Sequence, residues 1–512
     1  MNKFVAGLQE TNNFGYTENG AVKRTSTGTK LLDMFALGGA YRSRSDEDVI
    51  LLFKNAYEEN PVYALKCLFY LRDVRGGQGE RRFFRVCLKW AADHYTAAMQ
   101  RNLEYVPEFG RYDDLYSFVG TKLESAAFAM MKTQLELDVD CKTPSLLAKW
   151  LKSENTSSRE SRMLGNMTRK YLGMTHKQYR KTLSILRERI NVLERLMSEN
   201  RWDEIEFDKI PSKAGLKYRN AFARRDIIKA KYEAFAKDET TKVNAKTLYP
   251  YECVAEALKV MGVGYYYGSP KSYSDTDPLM VNKYWDNLAD YFNNATFNGM
   301  AVVDTSGSMV REDAAAPINV AISLGMYCAE KAQGPFHNKF MTFSSNPTFV
   351  EIEGVDFCDK VSRMLRAAWG GSTNIEAAFD LMLNTAIRNH CSQNEIPENL
   401  IVISDMEFDS CVTSGPRSND RWGGYSNRLS NASRETLFES MKKKWAKYGY
   451  QMPKLTFWNV DARSNNIPMK DDGTISYVSG MSPVLYEQIM KGLTAVDLMM
   501  DKLDSERYSC VY

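Results

Sequence analysis

The sequence predicts an α plus α/β protein in which an all-helical domain precedes a doubly wound α/β domain. Three observations lead to this fold class. From about Thr29 to Tyr291, apolar residues recur three and four positions apart, as they do in amphipathic helices. After Asn298, continuous β-branched runs alternate with helical patterns, which is typical of a parallel sheet covered on both faces. With 512 residues, 44% of them hydrophobic, the chain can bury two or three cores.

The helical half contains paired helices without β-like alternation between them. In the segments 46–74 and 80–95, Pro61 marks the start of a helix, and three glycines between positions 76 and 79 mark a break. Such pairs favour a helical-repeat array of the HEAT type, although no repeat period can be read from the sequence. The predicted organisation is an N-terminal extension (1–28), a helical domain (29–298) and an α/β domain (299–512).

Several classes of protein are disfavoured by composition. No apolar run approaches the length of a membrane span, and the first residues do not resemble an export signal. Nine cysteines are scattered without a CxxC pair, which predicts reduced and mostly buried thiols. We therefore expect a cytoplasmic, monomeric protein with no membrane partner.

The net charge of +3 hides a strongly basic segment. Residues 142–246 contain 25 Lys and Arg against 13 Asp and Glu, whereas residues 299–512 contain 21 against 26. If these basic side chains share one face, the segment is suited to a polyanion; if they do not, it is a solvated helical surface.

Polar residues follow two of the predicted strands and precede a helix of the α/β domain. Asp304, Ser306 and Ser308 follow the first strand, Thr373 precedes a helix, and Asp405 follows the run NLIVIS. Because parallel strands end at one edge of their sheet, these residues are expected to converge there. Two carboxylates and three hydroxyls form an all-oxygen set, which suits Mg²⁺ and disfavours softer metals.

These residues resemble the metal-ion-dependent adhesion site (MIDAS) of von Willebrand factor A domains. The segment DTSGS matches that family's DxSxS element, and Thr373 and Asp405 match its later threonine and aspartate. The resemblance implies that Ser306 and Ser308 bind the cation directly, and that Asp304, Thr373 and Asp405 bind it directly or through water. It also implies that an acidic group from a partner takes the open coordination position.

The helical half carries a second resemblance. Its segments 71–85 (LRDVRGGQGERRFFR), 106–116, 148–158 and 179–214 resemble the Ro-like family known as domain of unknown function 2828 and, more distantly, the Ro autoantigen with its TROVE module. The Ro resemblance implies a ribonucleoprotein that holds small or misfolded RNA on a basic helical surface.

The candidate RNA-binding side chains lie in the basic segment, near Trp150, Tyr171 and Tyr179. They are Lys149, Lys152, Arg159, Arg162, Arg169, Lys170, Arg180 and Lys181. Basic and aromatic side chains together suit single-stranded RNA, because cations neutralise phosphates and rings stack on unpaired bases. The alternative is that the basic residues are solvated and the aromatic residues belong to the core.

Three functions follow from these observations. The first is a non-enzymatic RNA-binding protein with a divalent cation site, and its RNA affinity should fall as salt increases. The second is a metal-dependent protein adaptor whose basic helices are structural. The third is a metal-dependent phosphohydrolase, which is disfavoured because no phosphate-binding loop is present and none of the four histidines lies beside the candidate site.

Overall fold

The computed structural model describes residues 13–190, 192–245, 247–262, 277–293, 295–311, 313–364, 371–409, 436–470 and 473–512. In this structure the chain forms two compact units. One, the α/β unit, comprises the described parts of Met1–Ser43, Pro250–Ser272 and Asp290–Met499. The other, the helical unit, comprises the described parts of Arg44–Tyr249, Tyr273–Ala289 and Met500–Tyr512.

These units are drawn differently from the predicted domains. The described part of the predicted extension 1–28 belongs to the α/β unit, while its residues 1–12 lie outside the described residues. The last residues of the predicted α/β domain belong instead to the helical unit. The described parts of 29–43, 250–272 and 290–298, predicted as helical domain, also belong to the α/β unit. These differences arise because segments pack against residues far away along the chain, which local periodicity does not encode.

Eight strands in the described ranges form two sheets. They are β1 (Phe14–Tyr16), β2 (Val22–Arg24), β3 (Gly299–Asp304), β4 (Lys339–Phe343), β5 (Thr348–Glu351), β6 (Asn399–Ser404), β7 (Lys454–Asn459) and β8 (Ile475–Ser479). β1 and β2 form an antiparallel hairpin, and the other six form a sheet in the order β5-β4-β3-β6-β7-β8.

The six-stranded sheet is parallel except for β5, which pairs antiparallel with β4. β3 is buried along its whole length, as its continuous apolar sequence requires for a strand covered on both faces. The predicted parallel sheet is thus confirmed for the four predicted strands, which are β3, β4, β6 and β7. The prediction missed β8 and the edge strand β5, whose four residues TFVE are too short and too exposed to give a clear pattern.

Along the chain, the helices of the α/β unit occur before, between and after the strands of this sheet. They are Lys30–Leu37, Pro250–Met261, Pro317–Lys331, Phe357–Met364, Ile375–Arg388, Leu437–Lys447, Leu485–Ile489 and the first part of Ala495–Leu503. The helix Pro317–Lys331 packs directly on β3. It is buried over most of its length, because it lies between the sheet and the helix Pro250–Met261.

The helical unit contains helices of very different lengths. They are Asp46–Glu59, Pro61–Arg72, Arg81–His94, Thr96–Arg101, Val106–Phe109, Glu124–Asp140, Leu147–Trp150, Arg159–Tyr171, His176–Arg189, Leu193–Ser198, Ser212–Arg224, Asp226–Lys237 and Leu279–Asp286. The first three pack against one another. The starts of the first two follow local chemistry, since Ser45 and Asn60 accept N-cap hydrogen bonds and Pro61 occupies the first helical position.

The described residues agree with two further expectations. Eight cysteines are described, all are free thiols, and five of them are buried. Among the described helices, none has both the length and the apolar sequence needed to cross a membrane. The repeat array expected for the helical unit stays a prediction.

Candidate functional site

The carboxyl ends of β3 and β6 bring two predicted acids together. β3 and β6 are neighbouring parallel strands, with Val303 opposite Ile403. Asp304 is the last residue of β3, and Asp405 directly follows β6. The chain passes from β3 to β4 on one side and returns to β6 on the other, so the strand order reverses here. Open α/β sheets bind their ligands at such reversal points.

The loop after β3 directs its polar atoms toward Asp405. The backbone N–H of Ser306 donates to Asp304 Oδ1 at 2.9 Å, which folds the loop back on its own acid. The Ser306 and Ser308 hydroxyl oxygens lie 3.1 Å apart, and Ser308 Oγ donates to Asp405 Oδ2 at 2.9 Å. Four of the five predicted site residues therefore form one hydrogen-bonded cluster.

Thr373, the fifth predicted residue, lies on a loop that contacts the first one. The backbone N–H of Gly307 donates to the carbonyl of Gly371 at 3.4 Å. A side chain at Gly371 would overlap Ser345, and the φ of +95° at this glycine also disfavours other residues. The Thr373 side chain is buried, and its hydroxyl accepts a hydrogen bond of 3.3 Å from Asn19 Nδ2.

The carboxylate of Asp304 is fully buried, and its hydrogen-bond donors are neutral. In addition to the Ser306 amide, Ser404 Oγ donates to Asp304 Oδ2 at 2.5 Å. Burial and the neighbouring Asp405 carboxylate raise the pKa of Asp304 to about 7, even though these hydrogen bonds act in the opposite direction. Two neighbouring desolvated carboxylates repel each other, so added positive charge would stabilise the site.

The donor set fits a hard divalent cation. Asp304 and Asp405 supply carboxylate oxygens, and the two serines and Thr373 supply neutral hydroxyl oxygens. In the described ranges, no group of three or more His, Cys, Asp and Glu side chains is placed to hold a metal. A cation at this edge would therefore depend on the hydroxyls and on water, as Mg²⁺ commonly does.

Arginine and acid side chains beyond β7 complete the site, and the sequence analysis missed them. Arg463 Nη2 lies 2.6 Å from Asp405 Oδ2. Asp461 pairs with Arg311 and accepts a hydrogen bond of 2.9 Å from Ser43 Oγ. Asp461 lies at the end of the predicted strand KLTFWNVDA and Arg463 directly follows it, so the rule that located Asp304 and Asp405 would also have located them.

Three of the eight predicted RNA-binding side chains form hydrogen bonds within the helical unit, and a fourth, Lys152, lies over an aromatic ring. Arg169 Nε pairs with Glu154 Oε1 at 2.8 Å, and Arg162 Nη1 donates to the carbonyl of Thr156 at 2.9 Å. Arg180 Nε donates to the carbonyl of His176 at 3.3 Å, and Lys152 is half-buried, with its ammonium 5.8 Å from the centre of the Tyr116 ring. The other four are exposed and form no ion pair within the described ranges: Lys149, Arg159, Lys170 and Lys181. The Lys149 ammonium also lies 5.7 Å from the centre of the Trp150 ring.

The three aromatic residues near these side chains differ in exposure. Tyr179 is fully buried and donates to the carbonyl of Lys152 at 2.8 Å, so it belongs to the core. Tyr171 is 40% exposed but already stacks on Phe128. Trp150 is half-buried beneath the guanidinium of Arg111, which lies 3.9 Å from the ring centre. The structure therefore offers fewer free stacking surfaces than the sequence predicted.

The glycine-rich turn between Arg72 and Arg81 has a packing role. A side chain at Gly77 would overlap the carbonyl oxygen of Tyr70, and one at Gly79 would overlap the Tyr249 hydroxyl. The turn also receives the C-terminal segment, because Arg507 pairs with Asp73 beside it. These contacts explain the glycines as requirements of close packing, in agreement with the tight interhelical turn expected from sequence.

Two family models together match most of the chain. Residues 17–158 and 138–295 match the family described as domain of unknown function DUF2828, and residues 298–508 match domain of unknown function DUF7788. The chain is 31% identical to "Uncharacterized protein L728" of Acanthamoeba polyphaga mimivirus over 522 aligned residues, which cover 93% of this chain and 85% of that protein.

A solved structure also aligns with most of the chain. It is the Ro (RSR) protein of Deinococcus radiodurans, with 14% identity and a TM-score of 0.40, and the alignment covers 91% of this chain and 100% of that one. A likeness of this size carries no argument about the function of this chain.

The fold and the site define a class: a two-unit protein with a helical unit and a mostly parallel α/β unit, whose sheet carries an acid and hydroxyl cluster at its strand-order reversal. Within that class, the chain belongs to the DUF2828 family, as the family match and the viral relative show.

Proposed function

We propose that this protein is a non-enzymatic, Ro-like RNA-binding protein. Its helical unit binds small or misfolded RNA, and its α/β unit is a von Willebrand factor A domain that binds a divalent cation, Mg²⁺, together with an acidic ligand. The observation that carries the second part is the hydrogen-bonded cluster of Asp304, Ser306, Ser308 and Asp405. The sequence resemblances to the MIDAS and Ro families support both parts.

The cation has a clear role in this proposal. Asp304, Asp405, Ser306, Ser308 and Thr373 would hold it, and it would supply the positive charge that attracts an acidic ligand. In the described part of the chain, no histidine is hydrogen-bonded to these residues; His176 bonds Glu154 and His337 bonds the carbonyl of Ala332. The two carboxylates and three hydroxyls are the residues that the MIDAS resemblance assigns to a bound cation, so we assign this donor set a binding role.

The RNA part is supported by the exposed basic side chains of the helical unit. Lys149, Arg159, Lys170 and Lys181 are free to contact phosphates, since none forms an ion pair in the described part of the chain. Lys149 and Arg180 also line a groove of about 700 Å³ in the helical unit. Such a surface would bind RNA mainly through its backbone and would lose affinity as salt increases.

Neutralising the exposed side chains tests the RNA part. The test variant is K149Q/R159Q/K170Q/K181Q, and the matched control removes the same charge elsewhere in the helical unit as K54Q/R101Q/K122Q/K132Q. Fluorescence anisotropy with a single-stranded RNA should show a salt slope reduced by about 3 in the test variant, since each phosphate contact contributes about 0.7. Equal slopes in both variants would reject this surface, and no RNA binding by the wild type would reject RNA binding altogether.

A second candidate function is a metal-dependent protein adaptor without RNA binding. The observation that favours it is the use of Arg162, Arg169 and Arg180 in bonds within the helical unit. Under this alternative, Asp304→Ala abolishes capture of an acidic partner, and neither quadruple variant has an RNA phenotype.

A further inference from the structure

The tip of the hairpin formed by β1 and β2, residues 17–20, lies over the acid and hydroxyl cluster. Thr17 Oγ1 donates to the carbonyl of Phe408 at 2.6 Å. Gly20 forms an isolated antiparallel bridge with Asp409. The tip is therefore bonded to the segment that begins with Asp405, so it is held directly beside the candidate cation site.

A buried acid of this segment holds the tip in place. Glu407 is completely buried, and its two carboxylate oxygens are both used. Oε2 accepts a hydrogen bond of 2.8 Å from the backbone N–H of Glu18, and Oε1 accepts one of 2.6 Å from Ser464 Oγ. Both oxygens of Glu407 are therefore occupied, by Glu18 of the hairpin and by Ser464, so Glu407 is not needed as a cation ligand.

Asn19 brings the tip into contact with a predicted ligand. Its side-chain amide donates to the carbonyl of Glu407 at 2.6 Å and to Thr373 Oγ1 at 3.3 Å. The hydroxyl that the family resemblance assigns to the cation is therefore in contact with the hairpin in this structure.

A chain of three charges joins the tip to the site. The Glu18 carboxylate lies 2.8 Å from Arg463 Nη1, and Arg463 Nη2 lies 2.6 Å from Asp405 Oδ2. The guanidinium therefore lies between an acid of the site and an acid on a separate segment of the chain. A divalent cation that mediates binding of an acidic ligand joins the same two kinds of group.

We propose that the hairpin tip is an internal acidic ligand of this site and that Arg463 is a tethered cation joining Glu18 to Asp405. The proposal rests on the function proposed above for the same residues. A divalent cation competes with the guanidinium for Asp405, because two positive charges on one oxygen repel each other strongly in a partly buried site. An external carboxylate competes with Glu18. Cation binding therefore releases the tip and opens the site to an acidic ligand.

Two measurements on the full chain test this proposal, with Mn²⁺ as the probe. Electron paramagnetic resonance measures Mn²⁺ affinity in the wild type, in Arg463→Gln and in a control, Arg363→Gln, which removes an exposed arginine of the same unit. Arg463→Gln should bind Mn²⁺ about tenfold more tightly than the wild type, because a competitor has been removed. The control should match the wild type.

Hydrogen exchange measured by mass spectrometry reports the tip itself. Saturating Mn²⁺ should accelerate exchange in residues 17–20 of the wild type about tenfold relative to EDTA. In Glu18→Gln the tip should exchange quickly even in EDTA, whereas Glu353→Gln, which alters an exposed acid paired with Arg363, should behave as wild type. A merely electrostatic effect of Arg463 on metal affinity would leave these exchange rates unchanged.

The possible results separate the two proposals. If Mn²⁺ binds and Asp304→Asn removes that binding, but tip exchange is the same in Mn²⁺ and EDTA, the internal ligand is rejected and the cation site stands. If neither the wild type nor Arg463→Gln binds Mn²⁺, the cation site is rejected and the internal ligand with it.

Discussion

Two buried aspartates, one in each unit, differ in how their charge is compensated. Asp73 and Asp304 are both fully buried, and each lies at the end of a regular element. Asp73 accepts hydrogen bonds from Arg507 Nη2 at 2.7 Å and from the Tyr508 hydroxyl at 3.0 Å. Burial acts to raise the pKa of Asp73, but the Arg507 guanidinium and backbone amides lower it below its ordinary value. Asp304 has neutral donors instead, and its pKa rises to about 7.

This difference separates an acid that stabilises the fold from one that is available to a ligand. A buried carboxylate costs the folded state several kcal/mol unless it is paired, so structural acids are packed together with their counter-ions. Asp304 lies at the strand-order reversal with no cationic hydrogen-bond donor of its own among the described residues, where its charge favours a cation from outside. Perturbed carboxylates in such positions are typical of functional sites.

The largest expected effect concerns cation binding. Asp304→Asn should weaken Mg²⁺ and Mn²⁺ binding about a thousandfold, since even residues that only support a ligand are worth about 10- to 100-fold. Isothermal titration calorimetry measures this loss. The control Asp380→Asn removes a partly exposed acid paired with Lys444 in the same unit and should bind normally. Equal losses in both variants would show that the effect is not specific to the site.

In the cation-free protein, ionisation of Asp304 should destabilise the folded state, whereas ionisation of a paired acid stabilises it. Its folded pKa of about 7 lies above the unfolded value of 3.8, so ionisation of this group destabilises the folded state as pH rises from about 4 to 7. In EDTA, Asp304→Asn should therefore be more stable than the wild type by roughly 4 kcal/mol at pH 8, and the difference should nearly disappear at pH 4. Urea unfolding at both values measures it, and a difference that is independent of pH would contradict the assignment.

Removal of the counter-ion of Asp73 should produce a smaller loss of stability. Arg507→Met leaves a buried carboxylate unpaired, and we expect a cost of about 2 kcal/mol, below the usual 3 to 5 because Arg507 is partly exposed. The stabilising contribution of Asp73 is present above its unfolded pKa and is lost as pH falls through its lowered folded pKa. The difference between variant and wild type should therefore shrink in acid, and cation binding should remain unchanged. Loss of cation binding in this variant would erase the distinction between the two aspartates.

The smallest effect is expected at Thr373. Thr373→Val removes one neutral hydroxyl while keeping the shape of the side chain, so cation affinity should fall about tenfold. Thr373→Ser keeps the hydroxyl and should retain most of the affinity. If both variants lose affinity equally, the contribution of Thr373 is packing and not coordination.

The parts of the site that were predictable from sequence are those encoded locally. A continuous apolar strand followed by an acid and hydroxyl residues locates Asp304, Ser306 and Ser308 at a sheet edge, and the same reasoning locates Asp405. The structure brings these four together through hydrogen bonds of about 3 Å. The parallel order of the strands follows from the helices between them.

The unpredicted parts depend on contacts between distant residues. Glu18 and Arg463 are 445 positions apart, and the hairpin that carries Glu18 has strands of only three residues, too short to show alternation. The prediction for the basic segment was limited for a different reason, because charge density does not reveal which arginines are bonded within the unit. Arg169 pairs with Glu154, 15 residues earlier, whereas its neighbour Lys170 is exposed.

The most direct test of Asp304 as part of a cation site is an anomalous-scattering map from crystals of the wild type grown with Mn²⁺. We predict a single strong peak in contact with the Ser306 and Ser308 hydroxyls and beside Asp304 and Asp405, and its absence in Asp304→Asn crystals grown under the same conditions. A map with no peak at this edge of the sheet, or a peak that persists in Asp304→Asn, would contradict the account.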